Sequence, residues 1–146
     1  MRTIQMSDYT VGEDAFDAIP ETLAAYGAKT VVLVGGRRAL DAAAPGITAA
    51  LAIGGGKAID TVKTAASELG KTVFSVPTIC SNCSAATAIA VIYHDDGSLE
   101  GYAYPPCPAH IFINPRIIAE APAEYFWAGI GDALSKQPEV EWATST

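Results

Sequence analysis

In the run Leu51-Ala-Ile-Gly-Gly-Gly-Lys-Ala-Ile-Asp-Thr-Val-Lys63, an apolar stretch stops at three glycines and a helix-forming stretch begins. Few backbones suit that order other than a strand turning sharply into a helix. Glycine lets the backbone approach a ligand closely. The first turn of the helix presents unpaired N–H groups and a partial positive charge. Together these make a site for an anion, most often a phosphate.

The flanking segments extend the pattern. Glu13 to Tyr26 predicts a helix restarted at Pro20-Glu21 and closed by Gly27. Thr30 to Val34 is β-branched and apolar, as a buried parallel strand requires, and ends in Gly35-Gly36. Arg38 to Leu51 predicts a helix broken or restarted at Pro45-Gly46. That helix then runs into the Leu51 strand through Ile47 to Ile53 with no turn residues. An αβ loop usually needs about 2–6 residues, so the helix is cut short or chain is missing there.

Ala58 to Leu69 predicts a helix closed by Gly70, and Val73 to Val76 a strand stopped by Pro77. Ala88 to Tyr93 and Glu100 to Tyr104 flank His94-Asp-Asp-Gly-Ser98, the chemistry of a β-hairpin. His110 to Asn114 predicts another strand and Tyr125 to Lys136 a last helix. Alternating strands and helices give an α/β sheet with an antiparallel hairpin appended.

Half of the residues are hydrophobic and 17% are charged, as in a chain that folds around a core. The net charge of −7 argues against nucleic acid or an anionic membrane as partner. A phosphate must then be held locally, by backbone amides and a few cations. No apolar run reaches about 18 residues and the N-terminus lacks a signal-peptide core, so a cytoplasmic protein with no membrane span is expected. Three cysteines in an otherwise ordinary composition point to reduced thiols.

Two common phosphate motifs fail. Leu51 replaces the first glycine of G-x-x-x-x-G-K-[ST] and Ala58 follows the lysine; Ile59 replaces the third glycine of G-x-G-x-x-G. The bland alternative is a glycine turn with no ligand. Downstream, Val76-Pro-Thr-Ile-Cys-Ser-Asn-Cys83 places Thr and Ser hydroxyls at the C-terminal end of a strand, where open α/β sheets bind ligands. Cys80, Cys83, Cys107 and His110 form C-x2-C…C-x2-H, a spacing that can take zinc, and the first pair a spacing that can be redox-active. His94 reads as a solvated turn residue, His110 as a packed or capping one. Tyr125 and Trp127 read as core or domain-interface residues that, left uncovered, would drive self-association.

Five motifs in order, Gly54-Gly-Gly-Lys-Ala-Ile-Asp60, Val76-Pro-Thr-Ile79, the Tyr93 hairpin, Pro108 to Asn114 and Ala128-Gly-Ile-Gly-Asp132, resemble the iron-containing alcohol dehydrogenase and glycerol dehydrogenase family. Tyr9-Thr-Val-Gly12 and Val31 to Gly36 extend the resemblance over nearly the whole chain. It implies a Rossmann-like, mostly parallel sheet over residues 1–122. Residues 123–146 would open a metal-binding helical domain that is otherwise absent.

The same likeness implies hydride transfer between an alcohol or polyol and NAD or NADP beside Fe²⁺ or Zn²⁺. Gly55, Gly56 and Lys57 would hold the pyrophosphate and Asp60 would orient that turn. Thr78 and Ser81 would line the adenosine and phosphate side, while Thr87, Ile89 and Tyr93 border the nicotinamide. Asp132 would be the first metal ligand. The dehydroquinate synthases, which share the glycine turn, are a more distant likeness.

Three departures refine this expectation. Gly36 stands where the family usually has an Asp that binds the ribose 2′-hydroxyl, and Arg37-Arg38 follow, which tilts the choice toward NADP. Cys83 replaces an Asp near the substrate of glycerol dehydrogenases. The remaining metal ligands, typically two or more histidines, should follow Asp132, and residues 133–146 contain none. The alternatives are therefore a dehydrogenase completed by a complementing C-terminal half or a homo-oligomer, and a nucleotide-binding module without turnover.

Overall fold

A computed structural model describes residues 6–34 and 46–145. Five strands form one wholly parallel sheet: β1 (Asp8–Val11), β2 (Val31–Val34), β3 (Ala49–Gly54), β4 (Thr72–Pro77) and β7 (His110–Ile113). Their order across the sheet is β1-β7-β4-β3-β2. The helix α2 (Gly56–Glu68) crosses from β3 to β4, while β5 (Ala90–Tyr93) and β6 (Leu99–Ala103) form a separate antiparallel pair. This is the expected α/β architecture with its hairpin. Among the described residues no helix is long and apolar enough to cross a membrane.

Alternation along the central strands explains the layering. Ala49 and Leu51 face one apolar cluster with Phe74, Val76 and Phe112, against which Phe16, Ile19 and Leu23 pack. Ala50 and Ala52 face the other, with Ile59, Val62, Ala65 and Ala66 of α2. Side chains on a strand point alternately to its two faces, so β3 is apolar throughout because both faces are covered. Its alanines let α2 lie close. In α2 the buried residues recur three and four apart, which is one helical face.

Several boundaries differ from those the sequence suggests. The N-terminal helix is a 3-10 turn at Ala15–Ala18 followed by α1 (Ile19–Ala25); Pro20 starts the α-helix and Gly27, at φ +71°, follows it. The stretch from Ile47 to Leu51 is not helical. The Thr48 hydroxyl accepts from the N–H groups of Lys29 and Thr30 at 2.9 and 3.2 Å, anchoring this segment to the chain ahead of β2, and β3 starts at Ala49. Gly35, Gly36, Arg37 and Arg38, with the helix expected after them, lie outside the described residues.

Two helices follow β7. The short α3 (Pro115–Ala119) is capped by Asn114, whose side chain accepts from the N–H groups of Arg116 and Ile117. The long α4 (Ala123–Thr144) runs through Pro138, well past the expected end at Lys136.

Candidate functional site

The strands β3 and β4 end side by side, and the loops leaving them make a cleft of about 460 Å³. Gly54 closes β3 at φ +146°, a conformation L side chains rarely adopt, and an added Cβ would lie 2.9 Å from that of Ala58. Gly55 then caps α2 without any side chain to satisfy the helix's first N–H groups. A Cβ on Gly56 would come within 3.2 Å of Ser84 Oγ across the cleft. Unsatisfied helix N–H groups, an absent Cβ and the neighbouring Lys57 make a cradle shaped for an anionic group such as a dinucleotide pyrophosphate.

The cleft gathers most of the residues expected from sequence. Gly56, Lys57, Asp60, Ser81, Thr87, Ile89, Tyr93 and Asp132 all line it. Gly55 lines an adjoining hollow on the far side of the turn, with Thr61 and Ile79. Thr78 is not among the lining residues; its backbone N–H donates to Gly54 O at 3.1 Å and joins the ends of β3 and β4. Lys57 Nζ sits 5.4 Å from the centroid of the Tyr93 ring, a cation–π contact bridging the glycine turn and the hairpin.

Asp60, from the second turn of α2, reaches the hairpin. Its Oδ2 accepts from the Val91 N–H at 3.1 Å and its Oδ1 lies 2.8 Å from Lys63 Nζ, so the carboxylate ties α2 to β5. Lys63 itself is wholly buried and donates to the carbonyls of Ser84, Thr87 and Ile89 at 2.7, 3.2 and 2.6 Å. An ammonium has three protons for these four oxygens. The three carbonyls take them, and Asp60 Oδ1 is left with the charge and no directed hydrogen bond. Sequence reasoning missed Lys63 because a lysine on a helix is usually solvated.

Asn82 was also missed. It holds φ +54°, and its Nδ2 donates to Asp132 Oδ2 at 2.8 Å from fifty positions away in sequence. The other oxygen of Asp132 faces Lys136 Nζ at 3.5 Å. Behind this contact, Gly129 lies against the β-carbon and carbonyl of Cys80. Only a glycine lets α4 approach the loop this closely, and Asp132, one turn further on, is thereby brought to the cleft.

Among the described residues no group of three or more His, Cys, Asp or Glu comes together to hold an ion. Asp132 stands alone, and a catalytic iron or zinc needs about three protein ligands, so the described residues do not fit that group. Cys80, Cys83, Cys107 and His110 do not converge on a zinc site either. Cys80 packs on Gly129, while the His110 ring bonds Thr10 Oγ1 at 2.8 Å. His94 lies exposed in its turn, as expected, with Nδ1 3.9 Å from Glu100.

Comparison with known proteins adds three findings. The sequence model of a family described as iron-containing alcohol dehydrogenase matches residues 2–122. A glycerol dehydrogenase from Thermotoga maritima is 42% identical over 90 residues, which is 61% of this chain and 25% of that protein. A crystal structure of a probable glycerol dehydrogenase from Sinorhizobium meliloti superposes with a TM-score of 0.81 at 28% identity, over 92% of this chain and 46% of that one.

The fold is shared more widely. Sulfoacetaldehyde reductase from Bifidobacterium kashiwanohense, solved in complex with NAD+, has a TM-score of 0.71 at 16% identity, over 85% of this chain and 48% of its own. The chain spans about a quarter of the length of the curated relatives it matches.

Proposed function

The chain belongs to the iron-containing alcohol dehydrogenase family, and from that premise we propose that its cleft binds NAD or NADP for the oxidation of a small alcohol or polyol. The observation that carries this reading is the cleft between the glycine turn and residues 81–93, where an anion cradle faces polar and apolar walls. Such a dinucleotide, when bound, supplies the acceptor or donor of a hydride. Gly55, Gly56 and Lys57 hold its pyrophosphate through backbone amides and one ammonium. Thr78 and Ser81 serve the adenosine and phosphate side. Thr87, Ile89 and Tyr93 border the nicotinamide, with Ile89 and the Tyr93 ring excluding water from that end.

Residues 1–122 are the nucleotide-binding unit in this reading, and α4 opens a helical metal-binding unit. The family match ending at 122 and the start of α4 at Ala123 support that division. Asp132 is offered as one ligand to iron or zinc, with Asn82 orienting it. The other ligands would come from a complementing C-terminal half; a homo-oligomer is the alternative assembly. A cytoplasmic setting is part of this reading. The isolation of Asp132 favours a second reading, a module that binds the dinucleotide without turnover.

Calorimetric titration of NAD and NADP, side by side, tests the first step. Binding is expected, with NADP favoured by Gly36, Arg37 and Arg38, and Lys57→Met should weaken it by about tenfold, the loss of a charge-assisted phosphate contact. Absence of binding by either nucleotide overturns the reading. Alcohol-dependent reduction at 340 nm with added Fe²⁺ or Zn²⁺ then separates dehydrogenase from module.

A further inference from the structure

We propose that Lys63, together with Asp60, is a positioning residue that sets the nicotinamide-facing wall of the cleft. The inference rests on the cofactor reading above and concerns a side chain that touches no part of the cleft's opening. Lys63 Nζ is enclosed, and the carbonyls of Ser84, Thr87 and Ile89 all turn toward it. Three carbonyls from one six-residue stretch aimed at one cation mean that the stretch curls around it.

Among the described residues the other bonds on that stretch are few, with Ser7 Oγ donating to Ala86 O at 3.4 Å and Thr87 Oγ1 to Cys83 O at 3.0 Å. Within it, Ala86 and Thr87 donate their N–H groups to Cys83 O, and Ser75 Oγ donates to Ala85 O at 3.0 Å. Lys63 thus supplies three of the four side-chain hydrogen bonds that reach the carbonyls of residues 84–89 from β4 and α2. Asp60 adds a fourth tie by accepting from Val91 N–H, where β5 begins its course.

The geometry links two functional parts. The helix that carries Lys63 also carries the anion cradle at its first turn, with Gly56 and Lys57. The stretch Lys63 grips carries Ser84, Thr87 and Ile89 on the cleft wall. One buried ammonium therefore fixes the distance between cradle and wall inside a single rigid body.

An apolar side chain of similar length would fill the same volume. What it could not supply is direction. Without the ammonium, three carbonyls lose their donor and must turn toward water, which at this site means toward the cleft.

The test uses the full chain and the paired variant Lys63→Met, Asp60→Asn, which removes both buried charges together. Calorimetry with NAD and with ADP, thermal unfolding, and hydrogen exchange of amides 84–91 are measured on it and on the unmodified chain. The expected result is a lower melting temperature, ADP affinity within about twofold, and NAD affinity lower by about tenfold or more, ~1.4 kcal/mol. Amides 84–91 should exchange faster.

NAD affinity unchanged in the folded variant while its melting temperature falls would make Lys63 merely structural and overturn the proposal. If the unmodified chain binds neither nucleotide, the cofactor reading has failed on its own. Hydrogen exchange then decides the positioning role: unchanged protection at 84–91 overturns it, and loss confined to that stretch sustains it. Should the pair fail to fold, Lys63→Gln with Asp60→Asn, which keeps two N–H donors for the three carbonyls, is measured instead. A smaller loss of NAD affinity with faster exchange at 84–91 then sustains the proposal, and unchanged NAD affinity overturns it.

Discussion

Gly129 shows how much one absent β-carbon can decide. Its Cα lies where any Cβ would enter the space of the Cys80 side chain and carbonyl. Gly129→Ala should force α4 away from the loop at a cost of about 1–3 kcal/mol, read from the urea midpoint. It should also lengthen the Asn82–Asp132 contact, visible as altered side-chain amide shifts of Asn82 by NMR. Nothing in the local sequence Ala128-Gly-Ile-Gly-Asp132 separates Gly129 from Gly131, around which there is open space.

His110 gives a pH dependence with a definite sign. Burial pushes its imidazole below the usual histidine value, and the Asp8 carboxylate opposes this only in part. The folded state therefore binds fewer protons than the unfolded state in the window between the lowered value and about pH 6.5. Stability from this residue is complete above about pH 6.5 and is lost as the pH falls through that window. His110→Gln, which can still meet Thr10 Oγ1, should flatten the slope of unfolding free energy over that range.

At the scale of elements, helix ends and turns were easier to read than helix length. The glycine turn, the Asp-Gly hairpin and the Pro20 and Gly70 boundaries follow from backbone chemistry that acts within four residues. The Ile47 to Leu51 stretch misled because alanine is the strongest helix former, while tertiary cover on both faces overrides that preference and makes Ala49 and Ala50 a strand. The helix α4 misled in the opposite direction. Pro138 lies inside it, where proline removes an N–H and crowds the preceding turn. Pro138→Ala should raise the ellipticity at 222 nm and stabilise that exposed part of α4 by up to ~3 kcal/mol, measured by local hydrogen exchange.

Over the whole molecule, the described surface is uneven. Trp127 and Trp142 are 66% and 80% exposed on α4, with Leu134 and Val140 also open. Tyr125 and Trp127 are therefore not core residues, which fits the alternative of an interface face. Cofactor binding should act on the entire fold, because a ligand held only by the native state stabilises it by mass action. At NAD concentrations near 100 times the dissociation constant the gain is about 2.7 kcal/mol, or roughly 6–10 °C for a domain of this size. An unshifted melting curve at saturating NAD and NADP would argue against the site.

Sequence alone determined the parallel α/β plan, the hairpin and the anion-cradling turn, because glycines, prolines and apolar periodicity act on the backbone nearby. The family resemblance of its motifs also grouped Lys57, Thr87, Ile89, Tyr93 and Asp132, and these residues line one cleft. Tertiary structure decided that Asp60 faces Lys63 and Val91, that Lys63 is buried under three carbonyls, and that Asn82 meets Asp132. Those partners lie up to fifty positions apart in sequence, or are carbonyls every residue possesses. No residue type announces such contacts, and only the packing of α2, the 81–89 loop and α4 brings them together.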